Sequence, residues 1–154
     1  MSEKQVMNKN EVAIVGGAGF VGSRLTARFR EGHIFSNKYD IDLSNQLDKS
    51  IYLDVEDLDS LDQLAGVSTI INLAAVHRDD VSPLSRYDDV NVQGAKNVCE
   101  AAFKHGVHKI IFTSSVAIYG FAPAETDESG ESNYFNDYGR TKYLAEQVYK
   151  AWQL

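Results

Sequence analysis

The chain has 154 residues, 44% of them hydrophobic, and sets 15 Lys and Arg against 22 Asp and Glu for a formal net charge of −7. That length and apolar share fit one globular domain with a real core, and the dispersed cations argue against nucleic acid or anionic membrane as the main partner, because neutralising phosphates needs clustered Lys and Arg. The single cysteine, Cys99, excludes an intramolecular disulfide and a thiolate metal cluster, and points to a reducing, cytoplasmic setting with no metal site.

Residues 1–10 are polar, hold no apolar run long enough for a signal peptide or membrane span, and read as a flexible soluble leader before a domain over 11–154. Val12 to Val15 is a short apolar run ended by glycines, the pattern of a buried parallel strand. A helix from about Val21 to Phe29 follows. Tyr39, Ile41 and Leu43 alternate with Asp40 and Asp42 and predict the second strand, whereas Phe35-Ser36-Asn37-Lys38 is poor strand material. Ile51 to Leu53 reads as a third strand, Leu58 to Ala65 as a short helix, and Thr69 to Leu73 as a fourth strand. Gly94 to His105, with Val98, Ala101 and Ala102 on one face, is an amphipathic helix, and Lys109 to Thr113 is the fifth strand. Ala122 to Asn133 is a surface loop, and about Phe135 to Gln153 is the last helix. Strands alternating with helices predict an α/β fold, a Rossmann-like doubly wound parallel sheet with helices on both faces.

Three segments carry chemistry. Gly16, Gly19 and Gly22 lie directly after the first strand and open a helix, where backbone without Cβ lets a pyrophosphate approach free N–H groups at a helix N-terminus. An acid about 20 residues further on is then placed to take adenosine ribose hydroxyls. Asp40 has that spacing and Asp42 is its alternative; an acid there repels a 2′-phosphate, which favours NAD over NADP. Ser114 and Ser115 follow the fifth strand, at the carboxyl edge where such sheets present ligand-binding groups. Tyr138 and Lys142, four apart on a helix, share one face, and an ammonium beside a phenol favours the phenolate. Tyr138 could then take a hydroxyl proton while Ser115 orients the alcohol.

In this order the segments resemble the extended short-chain dehydrogenase/reductase family, the NAD-dependent epimerases and dehydratases of nucleotide sugars. The resemblance covers nearly the whole chain: the Gly16 to Gly22 loop with Phe20 and Val21, Leu73-Ala74-Ala75, Asn91-Val92-Gln93-Gly94, Ser114-Ser115 with Tyr119-Gly120, and Tyr138 to Lys142. It implies that Ser115, Tyr138 and Lys142 are the catalytic triad. It also implies that Asp54 and Val55 border the adenine, that Ala74 and Ala75 pass their backbone close to the dinucleotide, and that Asn91 orders the cofactor side. Val15 stands where the family often has threonine, a mild departure.

The family's second half, with its later strands and sugar-nucleotide pocket, has no counterpart in the sequence. The expectation is therefore a cofactor half ending after the fifth strand and its following helix, inactive alone. With strand order 3-2-1-4-5-6, the fifth strand then becomes an open edge, so self-association or a homodimer is expected, through that edge or through helical faces. Dehydratases of this type need an acid pair after the serine, and Val116, Ala117 and Ile118 supply none, which favours C4 epimerisation of a nucleotide sugar. A dehydratase or a simple dehydrogenase or reductase stays open, as does a non-catalytic NAD-binding module. His77 and Arg78 either touch substrate phosphate or face solvent.

Overall fold

The computed structural model describes residues 11–45 and 49–153, so the expected leader 1–10 lies outside the described residues. The apolar run becomes β1, Glu11–Val15, whose Ala13, Ile14 and Val15 are at most 1% exposed because the strand sits mid-sheet. Helix α1, Phe20–Glu31, leads to β2, Ser36–Asp40; β3, Ile51–Tyr52, and a 3-10 turn, Ser60–Leu64, lead to β4, Val67–Asn72. Short α2, Ser85–Tyr87, runs through a π-helical turn, Asp88–Gln93, into α3, Gly94–His105. Then come β5, Lys109–Phe112, a second 3-10 turn, Val116–Ile118, and α4, Asp137–Trp152.

All strand pairs are parallel, in the order β3-β2-β1-β4-β5, with helices flanking the sheet. This is the expected Rossmann-like architecture. The core joins the sheet to α3 through Ala95, Val98, Ala101 and Ala102, and to α4 through Ala145 and Tyr149. Tyr149 fixes α4 to the sheet: its ring lies 4.6 Å from that of Phe112, and its hydroxyl accepts from Asn72 Nδ2 at 2.7 Å. Cys99 lies in this core, and burial pushes its thiol up to about 11, so it is an inert packing residue. Among the described residues no helix is long and apolar enough to cross a membrane.

The second strand differs from the sequence expectation. It runs over Ser36–Asp40, the polar stretch, and leaves Ile41 and Leu43 exposed beyond its end. Partners distant in sequence explain the shift. Pairing with β1 sets Val12 against Ser36 and Val15 against Tyr39. At the start of β1, Glu11 Oε1 accepts from Asn37 Nδ2 at 2.6 Å and from the Tyr39 hydroxyl at 2.9 Å, so these polar groups enter the sheet without losing their hydrogen bonds. The expected short helix at Leu58 to Ala65 is a tighter 3-10 turn, whereas the helix expected over Gly94 to His105 has those bounds and continues from the π-helical turn that holds Asn91.

Candidate functional site

The loop between β1 and α1 is shaped by its glycines. Gly16 has φ +74°, and a Cβ there would stand 2.7 Å from the backbone nitrogen of Ala74. A Cβ on Gly22 would stand 2.5 Å from the Cα of Gly17, so the first turn of α1 lies directly on the loop. Gly19, the residue capping α1, is different: a Cβ there would meet only the Gly16 carbonyl, at 3.4 Å. No side chain caps α1 and no acid stands in its first turn, so its leading N–H groups and the positive end of its dipole are presented to the cleft. Phe20 and Val21 are exposed beside them, and the Arg24 guanidinium sits 3.5 Å over the Phe20 ring.

Asp40 ends β2 opposite this loop. Its Oδ2 accepts from the Ala18 N–H at 2.8 Å and its Oδ1 from the Asp42 N–H at 2.9 Å, which fixes the carboxylate against the glycine turn. Asp42 borders the same cleft, and its carboxyl is held below the usual range by hydrogen bonds from Ser44. The next wall is the loop after β3. The Asp54 N–H donates to Ser60 Oγ at 3.0 Å, and the Val55 carbonyl accepts from Asn97 Nδ2 at 2.8 Å.

The loop after β4 brings Ala74 and Ala75 to the floor. Asn91, in the π-helical turn, is buried beneath it: its Oδ1 accepts from the Val76 N–H at 2.8 Å, and its Nδ2 donates to the Val76 carbonyl at 2.9 Å and to Thr141 Oγ1 at 3.0 Å. It ties that loop to α4.

Helix α4 is capped by Asn136, whose side chain accepts from the Gly139 N–H at 2.8 Å. This cap places Tyr138 in the first turn and Lys142 one turn later, both on the cleft. Lys142 is 3% exposed; its Nζ donates to the Thr113 carbonyl at the end of β5 and lies 4.1 Å from the Phe112 ring centroid. Burial pulls the ammonium down to about 8, with Glu146 opposing the shift. Ser115 stands three residues past the end of β5. Its Oγ accepts from the Ala117 N–H at 3.2 Å and so caps the second 3-10 turn.

One cleft of about 1040 Å³ therefore gathers Gly16, Gly19, Phe20, Val21, Gly22, Asp40, Asp54, Val55, Ala74, Ala75, Tyr138 and Lys142. Two expected site residues do not line it. Asn91 lies behind the wall, and Ser115 stands beside it, with Ser114 on the lining instead. His77 and Arg78 do border the cleft, Arg78 paired with Asp80. Sequence reasoning passed over Glu56, Arg86 and the Thr113 carbonyl, whose contacts join residues 29 and 30 apart and leave no local pattern. No cluster of His, Cys, Asp and Glu among the described residues could hold a metal ion.

The model of the NAD dependent epimerase/dehydratase family matches residues 12–154. The chain is 47% identical over 148 residues, 95% of its own length, to the N-acetyl-alpha-D-glucosaminyl-diphospho-ditrans,octacis-undecaprenol 4-epimerase of Escherichia coli O157:H7, of which the match covers 44%. Among solved structures, a short-chain dehydrogenase/reductase superfamily protein from Agrobacterium tumefaciens with bound NAD superposes with a TM-score of 0.85 at 26% identity, covering 94% of this chain and 45% of that one. UDP-glucose 4-epimerase from Brucella ovis in complex with NAD gives 0.82 at 29% identity, covering 93% and 47%. The chain thus spans about half the length of the curated relatives it matches. With the glycine turn, the Tyr138/Lys142 face and the five-stranded parallel sheet matching over 12–154, the chain belongs to the NAD dependent epimerase/dehydratase family.

Proposed function

We propose that this chain is the cofactor-binding part of an NAD-dependent 4-epimerase acting on a sugar joined to a diphosphate. The observation that carries the reading is the pairing of Tyr138 and Lys142 on one face of α4, both on the cleft that begins at the uncapped N-terminus of α1. These residues fit the cofactor: leading N–H groups suit a pyrophosphate, Gly19 leaves room beside them, and the Asp40 carboxylate suits a ribose diol and opposes a 2′-phosphate.

NAD, when bound, supplies a reversible two-electron acceptor for oxidation at sugar C4. In this reading Tyr138 takes the proton of the C4 hydroxyl and later returns it to the C4 oxygen, after the configuration at C4 has been inverted. Lys142, a cation with its Nζ fixed on Thr113, favours the phenolate that makes Tyr138 a base. Ser115 holds the sugar oxygen by its hydroxyl, which has a free donor because its present role at Ala117 uses it as acceptor. Val116, Ala117 and Ile118 provide no acid or base to expel a neighbouring hydroxyl, which supports epimerisation over dehydration. The 47% identity to a relative named for a polyprenyl-diphosphate-linked N-acetylglucosamine supports an N-acetylhexosamine diphosphate; nucleotide and polyprenyl carriers share that chemistry.

The test is a product assay on a protein joining this chain to the second half of the Escherichia coli relative, supplied with NAD and either UDP-N-acetylglucosamine or a polyprenyl-diphosphate-linked N-acetylglucosamine. The C4 epimer is expected from one of them, and which one identifies the carrier. Accumulation of an oxidised sugar with stoichiometric NADH would replace the epimerase reading by a dehydrogenase, and no turnover of either by an NAD-loaded protein would contradict it.

A further inference from the structure

Two walls of the cleft meet at one ion pair that neither the glycine loop nor the Tyr138/Lys142 face explains. Glu56 follows Asp54 and Val55 in the loop after β3, and Arg86 stands on α2; both border the cleft next to Val55 and Val90. The guanidinium holds both oxygens of the carboxylate, Nη1 to Oε1 at 2.6 Å and Nη2 to Oε2 at 2.7 Å. Two parallel bonds of this kind fix the plane of the guanidinium as well as its position. The side chains remain 41% and 29% exposed, so the contact is open to salt and to competition from water.

The two footings of this bridge are anchored independently of it. On one side Asn97 holds the Val55 carbonyl and Ser60 holds the Asp54 N–H. On the other, Tyr87, next to Arg86, donates its hydroxyl to the Arg78 carbonyl. The bridge therefore spans two fixed walls and can open without unfolding either. Its position is at the end of the cleft where Asp40, Asp54 and Val55 lie, away from Tyr138 and Lys142 in the chain's topology. A planar cation bordering the cleft together with Val55 and Val90 also suits a purine, whose π-face attracts a guanidinium.

We propose that Arg86 and Glu56 are cofactor-positioning residues whose bridge closes the adenine end of the cleft and limits dinucleotide release. This rests on the dinucleotide reading of the cleft given above. NADH fluorescence in stopped-flow displacement measures release directly on the chain. Arg86→Ala and Glu56→Gln should each speed NADH release about fivefold, the scale of one well-formed, half-exposed ion pair. The double variant should be no faster than the faster single one, because both remove the same contact. High salt should speed release from the unaltered chain and not from the variants. Glu56→Gln keeps the side-chain shape and guards against a change in folding. Unchanged release in both single variants, or effects that add in the double, would overturn the bridge while leaving the dinucleotide reading intact. Failure of the unaltered, folded chain to bind NADH would overturn both.

Discussion

The backbone of Gly139 lies so close to Ala117 that a Cβ on it would stand 2.4 Å from the Ala117 carbonyl oxygen and 3.0 Å from its carbonyl carbon. This contact sets the start of α4 directly on the 3-10 turn capped by Ser115, so the residue between Tyr138 and Arg140 fixes how the tyrosine stands to the serine. Asn136 caps the same N–H group, which leaves the glycine held from both sides.

Gly139→Ala should therefore push α4 off the turn. The clash is with backbone, which cannot swing aside, and overpacking of this kind costs on the order of 1–3 kcal/mol. Thermal unfolding should show a lower midpoint, and turnover of the completed enzyme should fall with it. An unchanged midpoint would mean that the Ala117 contact does not constrain the helix.

Lys142 makes a second prediction, about pH. Burial lowers its ammonium from 10.5 to about 8, which corresponds to a penalty of about 3 kcal/mol on the charged folded state. Below pH 8 both folded and unfolded chains carry the charge and the penalty is fully present. Between pH 8 and 10.5 the unfolded chain binds the extra proton, so stability from this group rises with pH. Lys142→Met should accordingly be more stable than the unaltered protein at pH 7, by less than that amount because the Thr113 carbonyl loses its donor, and the advantage should shrink as pH approaches 10. Denaturant unfolding of both proteins at pH 7 and 9.5 checks this; a gap that widens with pH would contradict it.

The glycine turn and the Tyr138/Lys142 pair were legible in the sequence because each is set by local spacing: a turn between strand and helix, and one helical turn. The parallel sheet followed from the alternation of strands and helices, and its order from the Rossmann-like pattern taken with it. What escaped was set by partners far along the chain. Asn37 belongs to β2, ahead of the expected Tyr39, because Glu11, 26 residues earlier, accepts from its amide, and no periodicity records that. Arg86 borders the cleft in a pair with Glu56, 30 residues away, which no local pattern announces. Asn91 was found through family likeness, and its placement behind the wall, bonded to Val76 and Thr141, makes it a strut between loop and helix.

Tyr138→Phe should leave NAD affinity nearly unchanged, since the ring and helix remain. In the completed enzyme turnover should fall by about 10²-fold or more, the scale of a positioned acid/base. Retention of most activity would remove Tyr138 from the proton-transfer role.

Asp40→Asn keeps an acceptor for the Ala18 N–H and removes the charge. The variant should hold the loop, lose NAD affinity by about tenfold, the cost of one charged hydrogen-bond acceptor, and narrow the gap between NAD and NADP. If Asp42→Asn produces that narrowing and Asp40→Asn does not, the ribose-reading acid is Asp42.

Calorimetric titration of the unaltered chain with NAD and NADP tests the cofactor cleft most directly, because it needs no sugar pocket. The account predicts one NAD per chain and clearly weaker NADP. No heat of binding from well-folded protein, or equal affinity for the two, would contradict it.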